Sequence, residues 1–148
     1  MNLKYSGTEE IDAGVDEVYA FITDPHKMGQ CLPEVQSVDV HDATSFDAVV
    51  KVAVGLVRGK FKYKVTLTPD ATAKRVVVKT SGGGMGSAVD MTATARLTGD
   101  GSRTTLAWDA DAIARGPVAA VGGRVLDAQA HKLIAKTFTN IKDQVNAG

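Results

Sequence analysis

Few residues in this chain combine type and spacing in a way that suits chemistry. The one cysteine, Cys31, lies beside Leu32 and Pro33 with no CxxC partner, and His26, His41 and His131 are scattered. Metal sites draw on ligands at short, regular spacings, so no metal is expected. A Cys–His nucleophilic pair could form only through the fold, and an isolated cysteine is more often a small buried hydrophobe. The run Gly82-Gly83-Gly84-Met85-Gly86 lacks the Lys-Ser/Thr of a phosphate loop, and a strand pattern follows it rather than a helix. It suggests instead a flexible turn. His131 follows Asp127 by one helical turn, as a surface pair would. Asp90, Asp109 and Asp111 have the parity opposite to Met91, Trp108 and Ala110, so they point to solvent and no inward acid is expected on the strands. An enzyme moving protons in an apolar interior needs polar groups there. Their scarcity favours carrying a ligand over transforming it. Tyr63 and Trp108 are the inward residues with a polar handle, and so the candidates for hydrogen-bonding a ligand carbonyl. Each could equally bond backbone.

The chain's 148 residues carry 44% hydrophobic side chains and no net charge, enough for one domain, 1–148, with one core. Zero net charge supplies no broad attraction to nucleic acid, and none is expected as a partner. The start has no basic region followed by an apolar one, and no apolar run approaches a membrane span. A cytoplasmic protein is expected.

The elements that would position these residues follow from periodicity. Leu3, Tyr5 and Ile11 alternate with polar neighbours as a first strand. Val15, Val18, Tyr19 and Ile22 recur at helical spacing, Asp24-Pro25 stops that helix, and a second short one runs from His26 to Cys31. Strands follow: 35–40, 46–54, about 61–67, 75–80, 88–97 and 104–112, with turns at 55–59, 81–86 and 99–102. Last comes one helix, 117–145, begun by Pro117 and apolar at Val118, Val121, Val125, Leu126, Leu133, Ile134, Phe138, Ile141 and Val145. Its roughly 29 residues would span about 43 Å. Short turns imply antiparallel neighbours, and only the last helix can cover the sheet's apolar face. The expectation is an α+β helix-grip: a curved antiparallel sheet of about seven strands around a long C-terminal helix, with two short helices after the first strand. Ala93, Ala95, Ala110 and Ala112 on the sheet face Ala119, Ala120, Gly122, Gly123, Ala128 and Ala130 on the helix. Small residues on both sides allow either close packing or an apolar cavity. The helix half from Leu133 onward is expected to be the packed anchor, and the half before it a cavity wall.

Several blocks carry a resemblance. They are Ile11-Asp12-Ala13 with Asp16-Glu17-Val18-Tyr19-Ala20, then Asp24-Pro25, Cys31-Leu32-Pro33, the stretch from Val50 to Lys62 with its Val-Gly-x-Val-x-Gly-Lys-Phe core, and Gly122-x-Arg124-Val125-Leu126-Asp127. Together they resemble the CoxG family, named for the G component of carbon monoxide dehydrogenase, in the START-like, Bet v 1-like superfamily of helix-grip folds, over nearly the whole chain. Family members usually have glycine after the proline at 33, where this chain has Glu34. They often extend past the grip helix in a variable tail, whereas this sequence stops at Gly148.

The resemblance implies an accessory, non-catalytic role beside a molybdenum carbon monoxide dehydrogenase-type hydroxylase, peripheral at the inner face of the cytoplasmic membrane. Respiration moves electrons through lipid-dissolved quinones, and an elongated apolar cavity suits an isoprenoid quinone such as menaquinone. Expected liners are Phe21, Met28 and Leu32 from the small helices; Val52, Val54, Tyr63, Val65, Val78, Met91 and Trp108 from the sheet; and Gly122 and Leu126 from the helix. Turns alternate ends in a meander, so 55–59, 82–86 and 113–117 should meet. Leu56, Val57 and Met85 there are expected to be exposed at a cavity mouth that touches a partner or the membrane. The alternatives are a polyketide-cyclase-like enzyme and a ligand-free scaffold.

Overall fold

Alternating apolar side chains zip seven strands into one antiparallel sheet, and a computed structural model describes them within Met1–Ala147. Gly148, the last residue of the expected domain, lies outside the described residues. The elements are β1 (Asn2–Ile11), α1 (Val15–Ile22), α2 (Pro25–Gln30), β2 (Val35–Asp42), β3 (Ser45–Val54), β4 (Val57–Asp70), β5 (Arg75–Gly84), β6 (Ser87–Gly99), β7 (Thr104–Arg115), α3 (Pro117–Ala120) and α4 (Gly123–Ala147). Strand order is β1-β7-β6-β5-β4-β3-β2, so β2 to β7 form a meander and β1 closes against β7. The sheet is curved, and the C-terminal helix lies across its concave side, touching β1, β3 and α1. This is the expected helix-grip.

Local chemistry explains the element ends. Asp24 accepts hydrogen bonds from the backbone N–H groups of His26 and Lys27, and Pro25 occupies the first turn, so the chain restarts as α2 immediately after α1. Val15 N–H bonds to Asp100 O at 2.9 Å, and buried Thr104 Oγ1 donates to Ala13 O at 2.8 Å. These bonds seat α1 on the β6–β7 hairpin. Asn140 Nδ2 donates to Cys31 O at 3.0 Å and ties α4 to the end of α2.

Four expectations need correction. The terminal helix is not continuous: it breaks at Val121-Gly122, where Gly122 has φ 95, leaving the one-turn α3 ahead of α4. The 55–59 turn is only Gly55-Leu56, because Gly55 takes φ 58 and supplies the first position of a two-residue hairpin. Val57 therefore begins β4 and is buried at 8% exposure rather than exposed. The glycine run is likewise mostly strand. Gly82 to Gly84 pair with β6 and only Met85-Gly86 turns, both with positive φ. A Cβ on Gly82 would lie 2.0 Å from Lys62 O, so close backbone approach, not flexibility, requires glycine there. Finally, Leu133 is 40% exposed and Val125 43%, so the apolar anchoring of the second half of α4 falls mainly to Phe138, Ile141 and Val145.

Candidate functional site

Two packed clusters close the two ends of the space between sheet and helix. The first gathers Ile11, Val18, Phe21, Phe46, Val65, Leu106 and Ile141, with Met28, Leu32, Val78, Trp108 and Phe138 packed against it. The second gathers Val50, Val54, Val57, Phe61, Ala114, Val118 and Leu126, with Leu32, Val52 and Tyr63 against it. Burying each fully enclosed phenylalanine, Phe46 and Phe61, stabilises the fold by about 2–3 kcal/mol.

Between the clusters the inner face is different. Thr80, Met91, Ala93 and Ala112 point inward by register but belong to neither cluster and stay half-buried. Across from the sheet, Ala130 and Ile134 on α4 are half-buried in the same way. These facing residues, mostly small, keep partial solvent exposure under the middle of α4. Of the expected liners, Met91 lies in this stretch. Phe21, Met28, Val65, Val78 and Trp108 belong to or pack against the first cluster, and Val52, Val54, Tyr63 and Leu126 the second; Leu32 packs against both. Gly122 sits at the helix break instead, with no atom within 4 Å of where a Cβ would be.

Trp108 is the chemically exposed point of the first cluster. Its indole Nε1 is buried and has no hydrogen-bond partner among the described residues. The ring stacks at a tilt on Phe138, centroids 5.8 Å apart, and faces Gly7 across the β1–β7 pair. A Cβ at Gly7 would stand 3.1 Å from Nε1 and Cζ2, so the glycine makes room for the indole. Leaving such a donor unpaired costs about 1–3 kcal/mol, which a ligand acceptor would recover.

Tyr63 has a parallel setting. It faces Gly82 across β4–β5, packs 6.0 Å from Phe61, and makes no side-chain hydrogen bond among the described residues. Burial pushes its phenol up to about 12. The two aromatics do not converge on one point. Tyr63 shares a register row with Gly82, Val89 and Ala114, and Ala114 is six residues from Trp108 along β7. At strand rise that is roughly 20 Å. One ligand carbonyl cannot engage both; they lie toward opposite ends of the sheet's inner face.

The sequence reading missed an inward acid. Glu9 shares the parity of Leu3, Tyr5 and Ile11, and its Oε1 accepts from Lys142 Nζ at 2.9 Å, both half-buried. That parity was the signal. The expected Asp127–His131 pair does not form; instead Tyr5 Oη donates to Asp127 Oδ1 at 2.7 Å, and its ring meets His131 edge-on at 5.6 Å. The three contacts clasp α4 to β1 along one side. Burial, then the bond to Asp127, push the Tyr5 phenol up to about 12. Cys31 is fully buried, and burial pushes its thiol up to about 11, so it behaves as a small hydrophobe. Asp90, Asp109 and Asp111 do point outward, to Arg115, Arg96 and Lys4.

The three turn regions meet as expected. Gly86 lies against Pro117, Val118 N–H bonds to buried Ser87 Oγ at 2.9 Å, and Gly55 lies against Val121. Leu56 is 99% exposed and Met85 61%. At this end α3 lies as a strap between two glycines of positive φ, Gly116 and Gly122. An open depression of about 480 Å³ at the opposite end, lined by Gly14 to Glu17, Lys74 and the β6–β7 hairpin, contains none of the expected liners. Among the described residues no three His, Cys, Asp or Glu side chains converge, and no helix is long and apolar enough to cross a membrane.

The model of the carbon monoxide dehydrogenase CoxG family, the enzyme's G component, matches residues 7–146. A search of curated proteins finds no match. Among solved structures, a conserved protein from Geobacillus kaustophilus is 24% identical, with TM-score 0.88 over 98% of this chain and 96% of that one. A START superfamily protein from Mycobacterium smegmatis is 14% identical, with TM-score 0.73 over 97% of both chains. A Streptomyces aromatase/cyclase is also 14% identical, with TM-score 0.71 over 99% of this chain and 94% of that one. Such distant likenesses establish the START-like fold, which carries enzymes as well as other proteins.

Proposed function

The chain belongs to the carbon monoxide dehydrogenase CoxG family, and from that premise we propose that it is a non-catalytic carrier of an isoprenoid quinone of menaquinone type. It serves a molybdenum carbon monoxide dehydrogenase-type enzyme at the inner face of the cytoplasmic membrane, linking that enzyme to the lipid-dissolved quinone pool. One observation carries this: a half-buried, mostly small-residue stretch of inner face between two packed clusters, beside an unpartnered buried indole N–H. An apolar stretch flanked by few polar groups fits a ligand that is mostly hydrocarbon with an occasional carbonyl. A quinone carbonyl accepts from Trp108 Nε1 once the half-buried Phe138 ring yields. The prenyl chain runs toward Tyr63, and the strap at α3 swings on Gly116 and Gly122 to admit it.

The enzyme alternative draws on the titratable groups of the β1–α4 clasp. They are poorly placed for catalysis. Glu9 and Lys142 satisfy each other, and the Tyr5 phenol stays protonated far above neutral pH.

Mass spectrometry of an organic extract of the purified protein tests the carrier function. An isoprenoid quinone in near-equal amount to protein is expected. An extract without quinone, from protein that still binds the dehydrogenase, would instead indicate a scaffold. Turnover of an added polyketide without any redox partner would indicate a cyclase.

A further inference from the structure

The outer face of the sheet divides into two electrostatic halves. On β6, β7 and β1 the outward cations meet carboxylates: Arg96 Nη1 lies 3.0 Å from Asp109 Oδ2, Arg115 Nη1 2.9 Å from Asp90 Oδ2, and Lys4 Nζ 3.8 Å from Asp111 Oδ1. On β3, β4 and β5 the face is cationic. Lys51, Arg58, Lys60, Lys64 and Lys79 point outward by register and are all exposed. None of the five has a carboxylate within 4 Å among the described residues. The outward carboxylates of these strands are taken: Asp47 Oδ2 lies 3.0 Å from His41 Nε2 and 3.7 Å from Lys62 Nζ, and Asp70 accepts from Arg75.

Lys51 and Lys60 stand directly opposite each other across β3–β4. Like charges at such a position oppose strand pairing, and carboxylates from outside the chain would relieve the repulsion. Three anionic partners have the charge to do so: a bilayer, a nucleic acid and an acidic protein. A bilayer takes in apolar side chains beside the cations, but the outward Val49 and Val77 are half-buried. Nucleic acid bases stack on aromatic rings, but Phe46, Phe61 and Tyr63 of these strands all face the inner clusters. Lysines spread as point charges over an open sheet suit the Asp and Glu side chains of a protein surface.

We propose that the outer face of β3 to β5 is where the dehydrogenase docks, through a patch of Asp and Glu side chains on its own surface. The inference rests on the carrier function above, which supplies the partner. Complementary charges steer the encounter and fix its orientation. Docking on this face leaves the concave side of the sheet, with α3 and α4, uncovered, so the ligand can still pass while the two proteins are joined.

Biolayer interferometry against the purified dehydrogenase of the same organism tests this. Replacing Lys51, Lys60 and Lys64 together by Gln should slow association at low salt roughly tenfold and flatten its salt dependence, with dissociation little changed. The same variant should melt no lower than the parent, because it loses a like-charge pair, and this separates a docking defect from misfolding. Lys79→Glu on β5 should slow association as well. Lys4→Gln and Arg96→Gln, in the self-paired half, should bind like the parent. A parent that does not bind, lysine variants that associate at the parent's rate, or equal losses from both halves would overturn the proposal. So would lysine variants that lose anionic vesicles or RNA but keep the dehydrogenase. The organic extract of each variant separates this inference from the carrier function. Quinone recovered from variants that bind the enzyme like the parent removes the docking face and leaves the carrier. An extract without quinone, from protein whose lysines are needed for binding, does the reverse.

Discussion

Trp108 concentrates the functional question in one atom. Its N–H is buried and unpaired, so removing it should not harm the empty protein. Trp108→Phe is expected to cost stability only modestly, the cavity left by the smaller ring being partly offset by loss of the unpaired donor, while lowering affinity for a quinone analogue roughly fivefold, the worth of one neutral hydrogen bond. Denaturant titration and calorimetry with the analogue measure the two effects separately. Glu34 makes a second case. It holds φ 58, a left-handed conformation that glycine adopts without strain. Glu34→Gly should stabilise by about 0.5–1 kcal/mol, the left-handed penalty less the entropy glycine adds to the unfolded chain, and Glu34→Ala should give no such gain. The acid groups of Cys31 and Tyr63 are both held protonated by burial, pushed up to about 11 and about 12. The unfolded chain releases those protons first. Their contribution is therefore full below pH 9 and lost as pH rises through 11 to 12. Tyr63→Phe should shift the alkaline unfolding midpoint upward in a circular-dichroism titration. Strand parity was sufficient to aim Tyr63 and Trp108 inward. The same parity aimed Glu9 inward too, but an acid facing a helix makes sense only once Lys142 is seen above it.

At the level of elements, hairpin lengths decided what periodicity could not. Glycines at 55 and 59 suggest a five-residue turn, yet a two-residue turn with Gly55 at positive φ matches strand twist better and moves Val57 into the core. Gly82 to Gly84 look like a loop in isolation. They form strand because backbone from β4 passes too close for any side chain. Gly82→Ala should therefore destabilise by more than about 3 kcal/mol, as overpacking against backbone does, in a thermal melt. A melt unchanged by that substitution would show a loose glycine run. The break at Gly122 was equally hidden, since a glycine inside a helical pattern is tolerated and only its φ of 95 reveals the stop. A Cβ there meets no atom within 4 Å, so Gly122→Ala tests backbone strain alone and should cost about 1–2 kcal/mol.

For the whole molecule, composition concealed what arrangement shows. Zero net charge hides an uneven layout: among the described residues Lys51, Arg58, Lys60 and Arg124 have no ion-pair partner, while exposed Asp12, Asp16, Glu17, Asp42 and Asp100 sit toward the other end. Summed charge carries no information about where charges lie. The helix-grip order itself was legible, because strand period, helical period and short turns agree on one architecture. Whether small residues on facing surfaces pack or part was not, because alanine fits both; the middle of the sheet is half-buried and belongs to neither cluster. The carrier function depends on that stretch, and the chain's one tryptophan sits beside it. Titrating the protein with a short-chain menaquinone analogue while following Trp108 fluorescence therefore tests the carrier function most directly. Saturable quenching at one site per chain is the expected result. Quenching that rises without saturation, as it would for free tryptophan, would contradict it.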